Sequence, residues 1–347
     1  MESGVQVPAP PNKEITMERS SKPPLLDRRS SIYRRILNTV RVHDMLHPHD
    51  HVIVAVSGGG DSVFLLMALE ALAKKYCLTL TVAHMNHGFR GGKGDSDARF
   101  VGELCRKKKH SFEIETLDPA SMVSGISREL YFRNKRYAFL QRIREEKSAH
   151  CIATGHTADD QAETVLMRLM AGSGIRGIAG IHPRRRDGVI RPLIDLRREE
   201  IRQNLFKSGL RFMEDETNRD ISHPRNHIRE ILIPVVEEVE KAAIAGICRT
   251  AQLALGDEHF LDQLVKKRIG KYLSHGLNMK AVHLEDISMQ RRIVNKYLIR
   301  EMGSPASFEL TKLILRLPIK GIKRVYLRKG HQGVIVDGML TIRRSYS

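Results

Sequence analysis

Short unbroken β-branched runs alternate with longer stretches of helical period through the first half of the chain. Ile32, Ile36 and Val40 recur at helical spacing, and His51-Val-Ile-Val-Ala-Val56 then reads as a strand covered on both faces. Val63 to Leu69 opens an apolar helix, and Leu78 to Ala83 predicts a second strand. A helix holding Ala98, Phe100, Val101 and Leu104 follows, then a third strand near Phe112 to Thr116. After a helix through Tyr131 to Ile143, His150 to Thr154 reads as another buried strand. Strands alternating with helices predict an α/β fold with a doubly wound, mostly parallel sheet. The pattern changes around Asn226 to Pro234. Val235 to Leu273 then reads as helix without strand, with Phe260, Leu261, Leu264, Val265 and Ile269 along one face. The tail, Lys320 to Arg344, alternates β-rich pieces with glycine and predicts a small hairpin. The expected division is a disordered leader over 1–30, rich in Pro, Ser and mixed charge, an α/β domain over 31–230, and a smaller mainly helical domain over 231–347.

Composition narrows the class. Apolar residues make up 41% and charged residues 28% of the 347 positions, which excludes disorder for the bulk of the chain. Lys and Arg outnumber Asp and Glu by 58 to 40, a net charge of +18. That excess predicts a polyanionic partner, most simply nucleic acid; charge kept for solubility is the plainer rival. Lys266, Lys267, Arg268 and Lys271 form a candidate landing surface for RNA, against the alternative of a solvated helix face. With 5% aromatic residues and no Trp, extensive base stacking is not expected. The four cysteines, Cys77, Cys105, Cys151 and Cys248, make no C-x-x-C pair, which argues against a disulfide framework or a cysteine-built metal site. No apolar run approaches the roughly 20 residues of a membrane span, and the cytoplasm is the expected compartment.

The strongest local signal is Ser57-Gly-Gly-Gly-Asp-Ser62 at a strand-to-helix junction. Backbone N–H groups and the helix dipole favour an anion there, and consecutive glycines let the backbone curl around phosphate oxygens. The loop lacks the Gly-Lys-Ser/Thr ending of a Walker A sequence and the G-x-G-x-x-G of a dinucleotide site. A second cluster, Asp159, Asp160 and Glu163, places carboxylates on one helix face after a buried strand. Such acids repel one another, so a cation is expected among them, either magnesium or a substrate ammonium.

The wording S-G-G-x-D-S resembles the pyrophosphate loop of the N-type ATP pyrophosphatases, with their adenine nucleotide alpha hydrolase-like fold. Further stretches are similar to the tRNA(Ile)-lysidine synthases: His84-Met-Asn-His-Gly-Phe-Arg90 with Ser96-Asp97, Glu129-Leu-Tyr-Phe-Arg-Asn-Lys-Arg-Tyr137, and Gly155-His-Thr-Ala-Asp-Asp-Gln-Ala-Glu-Thr164. Gly172-Ser-Gly174, Arg191-Pro-Leu193, Glu214 to Asn218 and Arg225-Asn-His-Ile-Arg229 continue the series in order. Phe132 stands where that family usually has Ala.

The resemblance implies ATP and Mg2+ as cofactors and free L-lysine and tRNA(Ile) as substrates; a homodimer stays open. The implied reaction transfers AMP to a cytidine and then replaces its C2 oxygen with the lysine ε-nitrogen. Ser57, Gly58, Gly59, Gly60, Asp61, Ser62, His84 and Asn86 are the implied nucleotide contacts, with Asp61 the magnesium partner. Asp159 or Asp160 would hold the ammonium and accept its proton, Glu163 completes the acidic group, and His156 would position the adenylate phosphate or the cytosine. Arg90, Arg133, Arg191, Arg225 and Arg229 are candidates for the adenylated intermediate or the tRNA backbone. The rivals are a tRNA thiolation enzyme of the same superfamily, an amidotransferase-type synthetase, and a non-catalytic RNA-binding protein on this fold.

Overall fold

A computed structural model describes residues 26–86, 88, 93–118, 122, 127–213, 224–327 and 330–344. Most of the expected leader, with His87, Arg90 and the segment 214–218, lies outside the described residues. The chain forms two compact units, 1–255 and 256–347.

The first unit contains strands β1 (His51–Ala55), β2 (Thr79–Asn86), β3 (Ser111–Thr116), β4 (Cys151–Ala153) and β5 (Val189–Ile190). They make one sheet in the order β3-β2-β1-β4-β5, and every pairing is parallel. Helices α1 (Ser31–Val42), α2 (Gly60–Tyr76), α3 (Lys93–Lys108), α4 (Arg128–Glu146) and α5 (Ala158–Met170) occupy its faces, followed by α6 (Gly174–Ile178) and α7 (Arg198–Lys207). Val52 and Val54 of β1 pack with Ile36, Phe64, Leu65, Val101 and Leu205 from α1, α2, α3 and α7. Ile53, between them, packs with Phe139, Leu140 and Ile143 of α4 on the opposite face. This is why β1 shows no polar alternation: both of its faces are interior. Strand order reverses between β1 and β4, so the segments leaving these two strands flank one crevice at the carboxyl edge.

The first unit ends at Leu255 and not near 230. After α8 (Pro224–His227) and a π-helical turn (Ile228–Leu232) come α9 (Ile233–Val239) and α10 (Ala243–Arg268). Ile228, Ile233 and Ile244 close over Ala158 and Ala162 of α5, with Ile247 and Cys248 packed against them. That apolar contact commits the segment after 230 to the α/β unit.

The second unit holds α11 (Met279–Val282), α12 (Ile287–Met302) and α13 (Phe308–Arg316). Its β6 (Leu277–Asn278), β7 (Ile322–Leu327), β8 (His331–Val336) and β9 (Met339–Arg344) form an antiparallel sheet in the order β6-β9-β8-β7. The sequence predicts a hairpin there. The sheet is larger because β7, β8 and β9 make two successive antiparallel pairs and β6, far upstream, adds to β9. Val325, Leu327, Ile335 and Leu340 face inward onto Ile293, Val294, Leu298 and Ile314. No helix among the described residues is long and apolar enough to cross a membrane.

Candidate active site

The glycine-rich turn begins where β1 ends. Gly58 takes φ +99°, a backbone conformation that an L side chain rarely adopts. The Ser62 hydroxyl accepts from the Ser57 backbone N–H at 3.1 Å and donates to the Gly59 carbonyl at 2.8 Å, which closes the turn on itself. Gly59, the N-cap of α2, offers no side-chain acceptor; its carbonyl takes the Ser62 and Val63 N–H groups, which leaves those of Gly60 and Asp61 without a side-chain cap. A pyrophosphate group fits this cradle.

Beside the turn, the His84 ring donates through Nδ1 to the Val56 carbonyl at 2.8 Å. Burial holds this imidazole below its ordinary pKa, and its buried Nε2 has no hydrogen-bond partner. A neutral ring with one orphaned acceptor next to the cradle suits a ligand donor. Asn86 has different work: its amide donates to Asp95 at 2.9 Å, and its oxygen accepts from the Gly88 N–H at 3.0 Å. It shapes the turn after β2.

From β4, the chain crosses Gly155 and enters α5 through a capping box. Thr157 accepts from the Asp160 N–H at 3.3 Å, and Asp160 Oδ2 accepts from the Thr157 N–H at 2.8 Å. Gly155 presses against the glycine-rich turn. A Cβ at 155 would lie 3.1 Å from the Asp61 carbonyl oxygen and 3.3 Å from the Ser62 nitrogen, both backbone atoms. The two segments therefore share one crevice. Gly155→Ala is expected to weaken the binding of a non-hydrolysable ATP analogue about tenfold by calorimetry, because overpacking against backbone must shift the turn. Unchanged affinity would show that the turn tolerates the shift.

The expected cation among the acids is supplied by the chain itself. Arg198 donates to Asp61 at 3.3 Å, to Asp160 at 3.0 Å and to Glu163 at 3.4 Å. Arg225 reaches Glu163 at 2.7 Å and Asp160 at 3.1 Å, and Arg229 grips Glu163 at 2.6 and 3.1 Å. Asp159 accepts from the Arg197 side chain at 3.1 Å and the Arg198 backbone N–H at 2.6 Å. Four arginines thus face Asp61, Asp159, Asp160 and Glu163, and self-repulsion is relieved without a metal. Among the described residues no group of three or more His, Cys, Asp or Glu is arranged to hold one. Asp61, a lone carboxylate beside a phosphate cradle, matches Mg2+ that arrives on nucleotide phosphates, since that ion commonly uses one or two carboxylates plus phosphate oxygens.

These acids differ in proton affinity. Burial, with the Asp160 charge beside it, pushes Asp61 up to about 6 against the pull of Arg198. Burial also opposes ionisation of Asp160, but Arg198 and Arg225 win and hold it below the usual carboxylate range. Burial drives His156 down to about 3 despite Asp160, with Arg191 and Arg136 adding to the effect. His156 is therefore neutral near pH 7, its Nδ1 3.0 Å from the Thr154 hydroxyl.

Arg191, directly after β5, is buried and donates to the His182 carbonyl, while its Nε has no partner. Arg133 lies 5.2 Å from the centre of the Tyr137 ring. Arg225 and Arg229, expected to face phosphates, are engaged with Glu163 and Asp160. Sequence reasoning missed Arg197 and Arg198. Their position was a usable signal: cations at the start of a helix oppose its dipole unless acids hold them there.

The fold and the crevice define a nucleotide-binding α/β protein whose phosphate loop faces a charge-balanced carboxylate cluster. The family model described as PP-loop domain matches residues 29–236, and the chain belongs to this PP-loop ATP-binding family. It is 34% identical over 268 residues to the tRNA(Ile)-lysidine synthase of Clostridium acetobutylicum, covering 76% of this chain and 58% of that one. With the tRNA(Ile)-lysidine synthase of Symbiobacterium thermophilum it shares 37% identity over 315 residues, 86% of this chain and 64% of the relative. The chain thus spans less than two thirds of the length of these relatives. Among solved structures, the U34-tRNA thiolase NcsA from Methanococcus maripaludis, with its [4Fe-4S] cluster, has the same fold: TM-score 0.55 at 19% identity, over 65% of this chain and 78% of that one.

Proposed function

We propose that this chain ligates free L-lysine to C2 of the cytidine at the first anticodon position of tRNA(Ile), consuming ATP and releasing AMP and pyrophosphate. The observation that carries the proposal is the Arg198 bridge, which joins Asp61 of the phosphate loop to Asp160 and Glu163 of α5. Curated lysidine synthases are among the relatives this chain is similar to.

In the first half-reaction the cytosine O2 attacks the α-phosphorus and pyrophosphate leaves. The glycine-rich turn and the α2 N-terminus hold the phosphates. Asp61 would hold Mg2+, which when bound supplies charge neutralisation for the departing pyrophosphate. His84 Nε2 would accept a hydrogen bond from the nucleotide, and neutral His156 would orient the adenylate or the base.

In the second half-reaction the lysine ε-nitrogen attacks C2, and AMP leaves with the former O2. Free lysine has a pKa of ~10.4, so only about one molecule in 10³ carries a neutral amine at pH 7. Asp160 and Asp159, held by arginines and backbone N–H groups, would orient the lysine ammonium. The proton that the attacking amine releases would pass to Asp159 or Asp160, the carboxylates assigned to the ammonium. Arg133 and Arg191 would contact substrate phosphate. The wider assignment includes the cytoplasm as compartment, the unit through Leu255 as the catalytic domain and the unit from Gly256 as the tRNA-binding domain.

Thiolation is the second reading, favoured only by the fold likeness. Burial pushes Cys105 up to about 11 and Cys151 and Cys248 up to about 12, which keeps these thiols protonated and poorly nucleophilic. The test is to incubate the full chain with labelled ATP, lysine and unmodified tRNA(Ile) transcript. Lysine-dependent incorporation into tRNA with release of AMP is expected. Sulfur transfer independent of lysine, or no nucleotide cleavage at all, would overturn the assignment.

A further inference from the structure

We infer that the outer face of the C-terminal sheet is a stacking platform for an unpaired RNA nucleotide, with Tyr326 as its aromatic surface. The second unit, 256–347, carries 18 Lys and Arg against 8 Asp and Glu, so it holds +10 of the chain's +18. Within it the density rises again, because residues 316–347 contain eight Lys and Arg and one acid, Asp337. The strands β7, β8 and β9 lie in that stretch.

Alternation along β7 sends Val325 and Leu327 into the core and Ile322, Arg324 and Tyr326 outward. Tyr326 is 80% exposed and Ile322 65% exposed. The register places Tyr326 opposite Gln332, and Gln332 opposite Arg343, in one row across three strands. An aromatic ring, an amide and a guanidinium thus stand side by side at hydrogen-bonded strand spacing. A nucleotide can use all three: the ring stacks on the base, the amide pairs with its edge, and the guanidinium takes a phosphate. Arg324 on the same face extends the positive potential along β7.

These cations are also unspent. Arg324 and Arg343 have no carboxylate partner among the described residues, whereas Lys266 pairs with Asp262 at 2.8 Å and Arg268 with Glu285 at 3.4 Å. The basic run at the end of α10 and in the turn after it, which sequence alone marks as the landing surface, is therefore half neutralised, and the outer sheet face is not. Exposed apolar and aromatic surface flanked by unpaired arginines matches the phosphates and bases of a single strand. A duplex hides its base faces and could use only the charge. The inference rests on this unit's charge and strand register, independent of the lysine chemistry.

The test uses the full chain and two labelled probes followed by fluorescence anisotropy: a short oligouridylate, which stays unpaired, and an RNA duplex of the same length. Tyr326→Ala is expected to lower oligouridylate affinity about tenfold and to change duplex affinity less than about twofold, while Tyr326→Phe restores wild-type binding. Arg324→Gln with Arg343→Gln is expected to flatten the slope of log K against log salt by about one to two. Photo-crosslinking a bromouridine-substituted strand is expected to label the peptide containing Tyr326. Since the ring is largely in solvent, its removal spares the fold, which a circular-dichroism melt verifies. Equal oligouridylate binding by wild type and Tyr326→Ala would overturn the inference. So would equal loss for both probes, which would mark a surface that reads phosphate alone. A change in self-association with RNA affinity intact would overturn it too, by assigning the face to a second copy of the chain. No arm of the experiment contains ATP or lysine, so failure here is separable from failure of the lysidine assignment.

Discussion

Asp61→Asn is expected to abolish nucleotide cleavage, lowering the rate by about three orders of magnitude, and yet to stabilise the nucleotide-free protein above neutral pH. The loss of activity follows from removing the one carboxylate at the phosphate cradle, where charge stabilisation is worth several kcal/mol. The gain in stability follows from the sign of its shift. Asp61 titrates near 3.8 when unperturbed and at about 6 in the folded chain. Between those values the folded state binds the extra proton, so stability falls as pH rises through the window and stays lowered above it. The neutral amide removes that cost. Because Asp61 is about a quarter exposed, the expected gain is modest, about 1 kcal/mol at pH 8, and it vanishes below about pH 4. Urea unfolding of wild type and variant at both pH values checks it. A variant less stable than wild type at pH 8 would mean that the Arg198 contact outweighs desolvation.

Glu163→Ala is expected to carry the largest stability loss of any single substitution at the site. Its carboxylate is fully buried and receives Arg198, Arg225 and Arg229. Removing it leaves three partly buried guanidiniums short of an anion, and breaking a buried pair in this way costs roughly 3–5 kcal/mol. The arginine side chains are 19%, 28% and 21% exposed and can turn partly toward water, which puts the expectation at the lower end. Urea denaturation should show a loss of about 3 kcal/mol, with Glu163→Gln losing about half as much because the amide still accepts. A loss under about 1 kcal/mol would show that the arginines rehydrate freely.

Much of this was legible in the sequence because it is local. The run His51 to Val56 announces a strand with two interior faces, and three glycines before an apolar helix announce an anion cradle. Asp159, Asp160 and Glu163 are placed on one face by helical period alone. The rest depends on distance along the chain. Arg198 meets acids 137, 38 and 35 residues away, and nothing in Leu-Arg-Arg-Glu-Glu distinguishes such an arginine from a solvated one except its unfavourable place at a helix start. The acids are visible in the sequence and their counter-charges are not, so the acids alone predict a free cation where the fold also sets guanidiniums. For the same reason β6, two residues long, leaves no periodic trace, and its pairing with β9 is invisible in the sequence.

The dispersal of the pocket across the chain also fixes when it can exist during synthesis. A nascent polypeptide that has emerged through β3 already owns the glycine turn but has no acids opposite it. Extending it through α5 adds Glu163 before Arg198, Arg225 and Arg229 have left the ribosome, so the carboxylate must wait in water. The emerging chain thus has no finished, charge-balanced pocket until residue 229 has left the ribosome.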